Sequence, residues 1–376
     1  MKNLMLMLML MLILIIASLI ISIIALIRTR KDRYQSSPSP SGSWTTLQPL
    51  KSARAGFGVA VIPSDSSSSS PSPSPSPSSY SIYAIGGVGS TGVLLSSTEM
   101  YNTVTKSWAP SAKLDVGLSF FDAAVLKPQY AGMAYELFIM GGYSGAPISG
   151  PRITAHMYMY TQGNYRWSPM KVMLTPRVYH RACVLETPDN SSYIFVIGGH
   201  TKTGSSKWSS RVDMYDRNEF QWKQMANLTH GRQSPGVFTY NNTLYVIGGN
   251  DEKGFVPYLE TYAGLTDDSW GKPIPTTNIG LTSSQYVVVK DKLYILGGVE
   301  TTTNQITKDV YSLDLKTLSS SSLKLTKESF SLPAALIYFG AVAINNSIYI
   351  IGGSTSQDTS DGGSVVSSVY RIDLYD

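Results

Sequence analysis

The chain has 376 residues, enough for one large domain, with 43% hydrophobic and 15% charged residues and a formal net charge of +5. Almost all of that charge is local: Lys2, Arg28, Arg30, Lys31 and Arg33, less Asp32, leave 25 basic against 24 acidic residues elsewhere, which excludes an electrostatic case for nucleic acid. The single cysteine, Cys183, excludes an intramolecular disulfide and suits a reducing compartment.

Leu4 to Ile27 is a run of 24 residues without a charge. As a helix it would reach about 36 Å against a hydrocarbon core of about 30 Å. The run is longer than the apolar region of a secretory signal and has no good cleavage site after it, so a retained transmembrane helix within residues 1–33 is expected, with a cleaved signal as the competing reading. The basic flank after the run favours a single-pass membrane protein with the remainder in the cytosol, a lumenal or extracellular side staying open. Asn190, Asn227, Asn241 and Asn345 each begin an N-x-Ser/Thr sequon that would count on the lumenal side. Residues 34–42 read as a Ser/Pro linker, too poor in apolar residues to fold.

From residue 43 onward the chain is an array. Six apolar runs end in glycine pairs: Gly86-Gly87, Gly141-Gly142, Gly198-Gly199, Gly248-Gly249, Gly297-Gly298 and Gly352-Gly353, with first glycines 55, 57, 50, 49 and 55 residues apart. The runs are rich in β-branched and aromatic residues and predict strands. In the third unit Arg177 is followed by His180 to Leu185, Tyr193 to Gly199, Val212 to Asp216 and Trp222, which predicts four strands. Tyr101, Tyr160 and Tyr215 each precede a tryptophan by seven residues, and Tyr262 precedes Trp270 by eight. Such an offset fits a short turn between the third and fourth strands.

These glycine pairs, tyrosines and tryptophans resemble kelch repeats over roughly residues 43 to 376. The resemblance implies an all-β fold, a six-bladed kelch β-propeller, here preceded by one transmembrane helix. The last unit supplies three strands and no tryptophan strand, whereas Ser43 to Leu47 reads as a fourth strand without partners. An N-terminal strand carrying Trp44 is therefore expected to close the ring. In the fifth unit, which lacks its tryptophan, Ser321 to Leu325 is expected to stand in. The arginine opening the repeat appears as Arg54, Arg177 and Arg232 and is missing from units two, five and six, which are expected to pack more loosely. Residues 63–79 read as a disordered Ser/Pro loop in blade one.

Kelch propellers include adaptors, actin binders, sugar-binding modules and some enzymes, so the resemblance alone does not choose. Copper radical oxidases share the fold but need a cysteine cross-linked to tyrosine and two histidine ligands, for which Cys183 by itself is too little. The four histidines show no metal-ligand spacing, and no metal or cofactor is expected. The loops joining strands two to three, and strand four to the next blade, share one face. There Arg177, Tyr179, His200, Trp208, Arg211, His230 and Arg232 are the candidate binding residues, with Lys202 and Lys207 beside them and His180 at a strand start. Arg177 and Arg232 have a plainer alternative as braces of neighbouring loops, and the tryptophans of the repeat one as packing residues, Trp208 in its loop excepted. The expected function is a membrane-tethered protein-interaction module, probed by a protein partner of unidentified kind. The alternative is a lumenal or secreted glycan-binding or sugar-modifying enzyme. No BTB or F-box segment is legible in the chain.

Overall fold

In the computed structural model, residues 43–64, 79–130, 132–145, 152–201, 208–277, 279–360 and 363–374 are described. Among them, six four-stranded antiparallel sheets follow one another along the chain. Sheet one holds Gly58–Pro63, Tyr80–Ile85, Thr98–Asn102 and Ser107–Ser111; sheet two Asp122–Leu126, Glu136–Met140, Met157–Thr161 and Ser168–Pro169. Sheet three is Arg181–Glu186, Ser192–Ile197, Val212–Asp216 and Gln221–Met225; sheet four Gly236–Tyr240, Thr243–Ile247, Tyr258–Thr261 and Ile274–Pro275. Sheet five is Gln285–Val289, Lys292–Leu296, Val310–Asp314 and Thr326–Lys327. Sheet six joins Gly340–Ile344, Ser347–Ile351 and Val369–Asp373 to Thr45–Thr46, with Thr45 opposite Arg371 and Thr46 opposite Tyr370. The second strands are the most deeply buried, Ile194 to Ile197 and Ile348, Ile350 and Ile351 all being fully covered, because they face the neighbouring sheets on both sides.

In sheets one to four the repeat tyrosine and tryptophan pack on each other, with centroids 5.2 Å apart for Tyr101 and Trp108, 5.4 Å for Tyr160 and Trp167, 5.2 Å for Tyr215 and Trp222 and 5.2 Å for Tyr262 and Trp270. Each indole N–H then donates to a carbonyl just past the last strand of the preceding sheet. Trp167 Nε1 reaches Ala112 O at 3.0 Å, Trp222 Lys171 O at 3.0 Å and Trp270 Ala226 O at 2.8 Å. Trp108 makes the same bond to Gln48 O (3.0 Å) and Trp44 to Ser331 O (2.7 Å). Packing and a satisfied indole therefore account for these tryptophans. In sheet five the last strand is Thr326–Lys327 rather than Ser321 to Leu325. Leu323 instead bridges Thr276 in parallel, and Leu323 and Leu325 are buried where the indole would lie.

The glycine pairs explain how one unit grips the next. All twelve take φ between +56° and +105°. In five of the six pairs the N–H of the second glycine donates to the residue opening the following unit, among them Gly142 to Arg177 O at 2.8 Å, Gly199 to Arg232 O at 2.8 Å, and Gly353 to Arg54 O at 2.8 Å. A Cβ on Gly352 would lie 2.7 Å from Arg54 O. Gly352→Ala, at φ +56°, is therefore expected to cost at least about 1–2 kcal/mol from the left-handed backbone alone, with the clash added. A calorimetric melting temperature equal to that of the parent protein would refute this.

Two expectations are corrected. Residues 4–27, on which the transmembrane helix and the single-pass placement rested, lie outside the described residues, as does the linker at 34–42. Within the described residues no helix is long and apolar enough to cross a membrane; their helical content is the three-residue 3-10 turn Leu315–Thr317, and the apolar residues sit in strands that bury them against neighbouring sheets. Sheets two, five and six are not loose at the missing arginine, because Leu118, Leu281 and Leu336 fill that position and are 1%, 3% and 1% exposed. Most of the 63–79 tract, residues 65–78, lies outside the described residues, and Pro63 ends a strand.

Candidate functional site

Antiparallel neighbours send successive connections to opposite ends of a sheet. Short ladders tie together the connections at one end: Arg54–Ala55 pairs with Val88–Gly89, Leu118–Ser119 with Tyr143–Ser144, and Val178 bridges His200. Just inside each ladder the chain turns into its first strand through one left-handed residue. These are Gly56, Phe120, Tyr179, Ser234, Ser283 and Tyr338, with φ of +58°, +53°, +55°, +48°, +55° and +56°. Backbone bonds run from one to the next: Gly56 N–H to Tyr338 O (2.8 Å), Phe120 N–H to Gly56 O (2.6 Å), Tyr179 N–H to Phe120 O (3.3 Å) and Ser234 N–H to Tyr179 O (2.7 Å). All six line one cavity of about 60 Å³.

The ring is lopsided. On one side Phe120 sits 4.9 Å from Tyr179, 5.0 Å from Tyr338 and 6.2 Å from Tyr143, in tilted and edge-on geometries. All four rings are half-buried, and the Tyr143 and Tyr179 hydroxyls bond to each other. On the other side stand Ser234 and Ser283. Below the rings, Arg181 Nη2 donates to Gln285 Oε1 at 2.9 Å across the cavity, and its Nη1 lies 3.9 Å from Asp122 Oδ1. Asp122 Oδ2 accepts from the Ala182 N–H at 2.7 Å, yet burial pushes this carboxyl up. His180 Nε2 bonds Met140 O at 3.0 Å; burial, then Arg177, lowers its pKa to about 3, so it is neutral at ordinary pH. Burial also pushes the Cys183 thiol up, which disfavours the thiolate. Among the described residues, no three His, Cys, Asp or Glu side chains gather as a metal would need.

The structure divides the seven candidate residues. Arg177 and Arg232 are fully buried and do not face solvent. Arg177 Nη2 pairs with Asp213 Oδ2 at 2.5 Å and its Nη1 reaches Arg211 O (3.1 Å) and Gly198 O (3.3 Å). Arg232 pairs with Glu260 and donates to Gly248 O at 3.1 Å. Both brace the loop after the glycine pair, as Arg54 does with Glu99 (2.7 Å) and Gly86 O (2.8 Å). Tyr179 belongs to the aromatic ring. His200 and Trp208 pair as a backbone bridge on the same loop end, both half-buried, and Arg211 Nε is held by Asp213 Oδ1 at 2.9 Å. His230 is exposed and stacks on Tyr258 at 5.2 Å and 15°. Lys202 and Lys207 lie outside the described residues.

Phe120, Tyr143 and Tyr338 escaped the reading of the sequence, as did the carboxylates Glu99, Asp213 and Glu260. Aligning the six units on their opening Arg or Leu would have found the ring, since its members all stand two residues later. The carboxylates stand two residues before the conserved-offset tyrosine in the units that carry the arginine.

Comparison with known proteins agrees with this architecture. The family model described as the KLHDC2/KLHL20/DRC7 Kelch-repeats domain matches residues 123–353, and the Kelch motif matches 78–114 and 336–375. Beta-scruin of Limulus polyphemus is 24% identical over 249 residues, covering 64% of this chain and 25% of its own length. Kelch-like protein 38 of Rattus norvegicus is 24% identical over 68% of this chain and 39% of its own, and Kelch-like protein 25 of Xenopus tropicalis 30% over 50% and 28%. The chain thus spans between a quarter and two fifths of the length of these relatives. With a family model covering more than half of it, and glycine pairs, tyrosines and tryptophans in the roles described, the chain belongs to the kelch-repeat family of β-propellers.

Proposed function

We propose that the six sheets are the blades of a closed ring and that the loop end of this ring recognises a protein partner. Closure is supported by contacts between the first strands of successive sheets, which continue from Gly340–Ile344 to Gly58–Pro63, by the Gly353 bond to Arg54 O, which matches those of Gly142 and Gly199, and by the Trp44 bond, which matches those of Trp108, Trp167, Trp222 and Trp270. Recognition rests on one observation above the others. Gly56 makes the left-handed turn without strain, yet the same turn carries Phe120, Tyr179 and Tyr338, bulky residues for which it costs about 1–2 kcal/mol each. Strain of this sort is retained where side chains have work to do. Half-exposed tyrosines clustered at the centre of a loop surface are typical anchors of protein recognition. A cavity of about 60 Å³ has room for about two waters and does not enclose a sugar ring, so a surface contact is favoured over a glycan pocket. His200, Trp208, Arg211 and His230 form the outer part of the proposed surface.

The test is to identify partners by proximity labelling in the native cell and measure the affinity of the purified partner. Tyr179→Ser with Tyr338→Ser, which copies Ser234 and Ser283, is expected to preserve the melting temperature and weaken binding roughly thirtyfold or more, the loss from one anchor of about 2 kcal/mol. Trp208→Ala with Arg211→Ala should give a smaller loss. Unchanged affinity in the tyrosine pair removes the proposal.

A further inference from the structure

A second candidate site lies at the opposite end of the sheets. Tyr130 and Met133, in the connection between the first two strands of sheet two, and Phe220, in the turn before the last strand of sheet three, flank a groove of about 450 Å³. That volume is in the range of ligand sites. The three flanking side chains are 67%, 41% and 62% exposed, unusual for residues so apolar. Met159 and Met170 line the groove behind them. Methionine is the side chain that best adapts to varied apolar guests.

On the floor of this groove three buried polar atoms have no hydrogen-bond partner among the described residues: Glu136 Oε2, the Tyr215 hydroxyl and Arg217 Nη2. Tyr215 is 1% exposed. Its counterpart in sheet four, Tyr262, donates to Asp268 Oδ1 at 3.0 Å. Arg217 spends Nη1 on Lys127 O at 3.0 Å, and its Nε stands 3.4 Å from Glu136 Oε2, an attraction that leaves Nη2 and much of the carboxylate oxygen's capacity unused. Buried polar groups are almost always paired, and three exceptions in one apolar groove call for a ligand.

We infer that the groove docks a peptide segment with an apolar side chain among Met133, Met159 and Met170 and a backbone amide across Glu136 and Arg217. The amide N–H donates to Glu136 Oε2 and its carbonyl accepts from Arg217 Nη2. The opposed charges select this chemistry: a phosphate would meet Glu136 and an ammonium would meet Arg217, whereas a neutral amide complements both. Because the floor atoms are shut off from bulk water, docking requires lining side chains to move aside. The site shares no lining residue with the cavity at the loop end.

The probe is N-methyl-4-methylpentanamide, one amide on a leucine-like chain, titrated into the full chain carrying 13C-methyl methionine. Saturable shifts are expected at Met133, Met159 and Met170, with Met100 in sheet one as an unmoved reference. Methyl 4-methylpentanoate lacks the N–H and should bind roughly tenfold more weakly, the effect of one hydrogen bond to a charged group. Arg217→Met should weaken the amide by a similar factor with the Met100 resonance unchanged. Absence of saturable shifts at the three methyls, or equal affinity for amide and ester, overturns the proposal.

Discussion

Deleting residues 43–50 is expected to make the protein aggregate. The segment adds Thr45–Thr46 to the outer edge of sheet six, and beyond that pairing Leu47 N–H donates to Val369 O (2.8 Å) and Leu50 N–H to Ser367 O (2.9 Å). Without it, Val369–Asp373 becomes an unpaired edge strand, a template for association. A second joint fails together with the first, since Trp108 of sheet one donates its indole N–H to Gln48 O (3.0 Å) and its backbone N–H to Gln48 Oε1 (3.1 Å). Leu50, 4% exposed, is lost from the core as well; a core leucine alone is worth about 2–5 kcal/mol. Light scattering after size exclusion should show oligomers, and the melting temperature should fall by at least about 5 °C. A soluble monomer with an unaltered melting temperature would mean that the ends of the chain do not hold the ring.

Trp44 was the legible part of this joint, because a lone tryptophan strand at one end and a missing one at the other complete each other in the sequence. Strand composition and glycine pairs made the repeats legible for a similar reason: each unit repeats the same local chemistry. The membrane span was read from 24 uncharged residues outside the described structure, and the strands that are described give it no counterpart. The candidate face was legible only in outline. Tyr179 stood out beside an arginine, but Phe120 and Tyr338 follow a serine and an isoleucine, with nothing local to mark them. What unites them is a backbone angle, and a side chain does not announce positive φ when glycine is the usual choice for it. Arg177 and Arg232 misled for the opposite reason. A loop arginine looks like a surface contact until its carboxylate, 28 or 36 residues away, is seen to bury it.

That burial follows a rule across the repeats. Where the unit opens with Arg54, Arg177 or Arg232, the position two before the repeat tyrosine or its equivalent is Glu99, Asp213 or Glu260; where it opens with Leu118, Leu281 or Leu336, that position is Tyr158, Tyr311 or Tyr370. The same two positions thus hold a buried ion pair in sheets one, three and four and a leucine with a tyrosine in sheets two, five and six. Removing one member of a buried pair strands the other charge and costs about 3–5 kcal/mol, whereas replacing both by apolar groups is often neutral or better. Arg232→Leu is therefore expected to destabilise by that amount, as Glu260 keeps only the Thr229 N–H and hydroxyl as donors. Glu260→Tyr should destabilise too, by leaving the guanidinium with carbonyls alone. Combined, the two substitutions recreate the leucine and tyrosine of sheets two, five and six. The double variant should be more stable than either single one, with a coupling energy of about 2–3 kcal/mol. Urea unfolding of the four proteins measures this directly. Additive losses would show that the two positions are not interchangeable as pairs, and that sheets two, five and six solve their packing by contacts of their own.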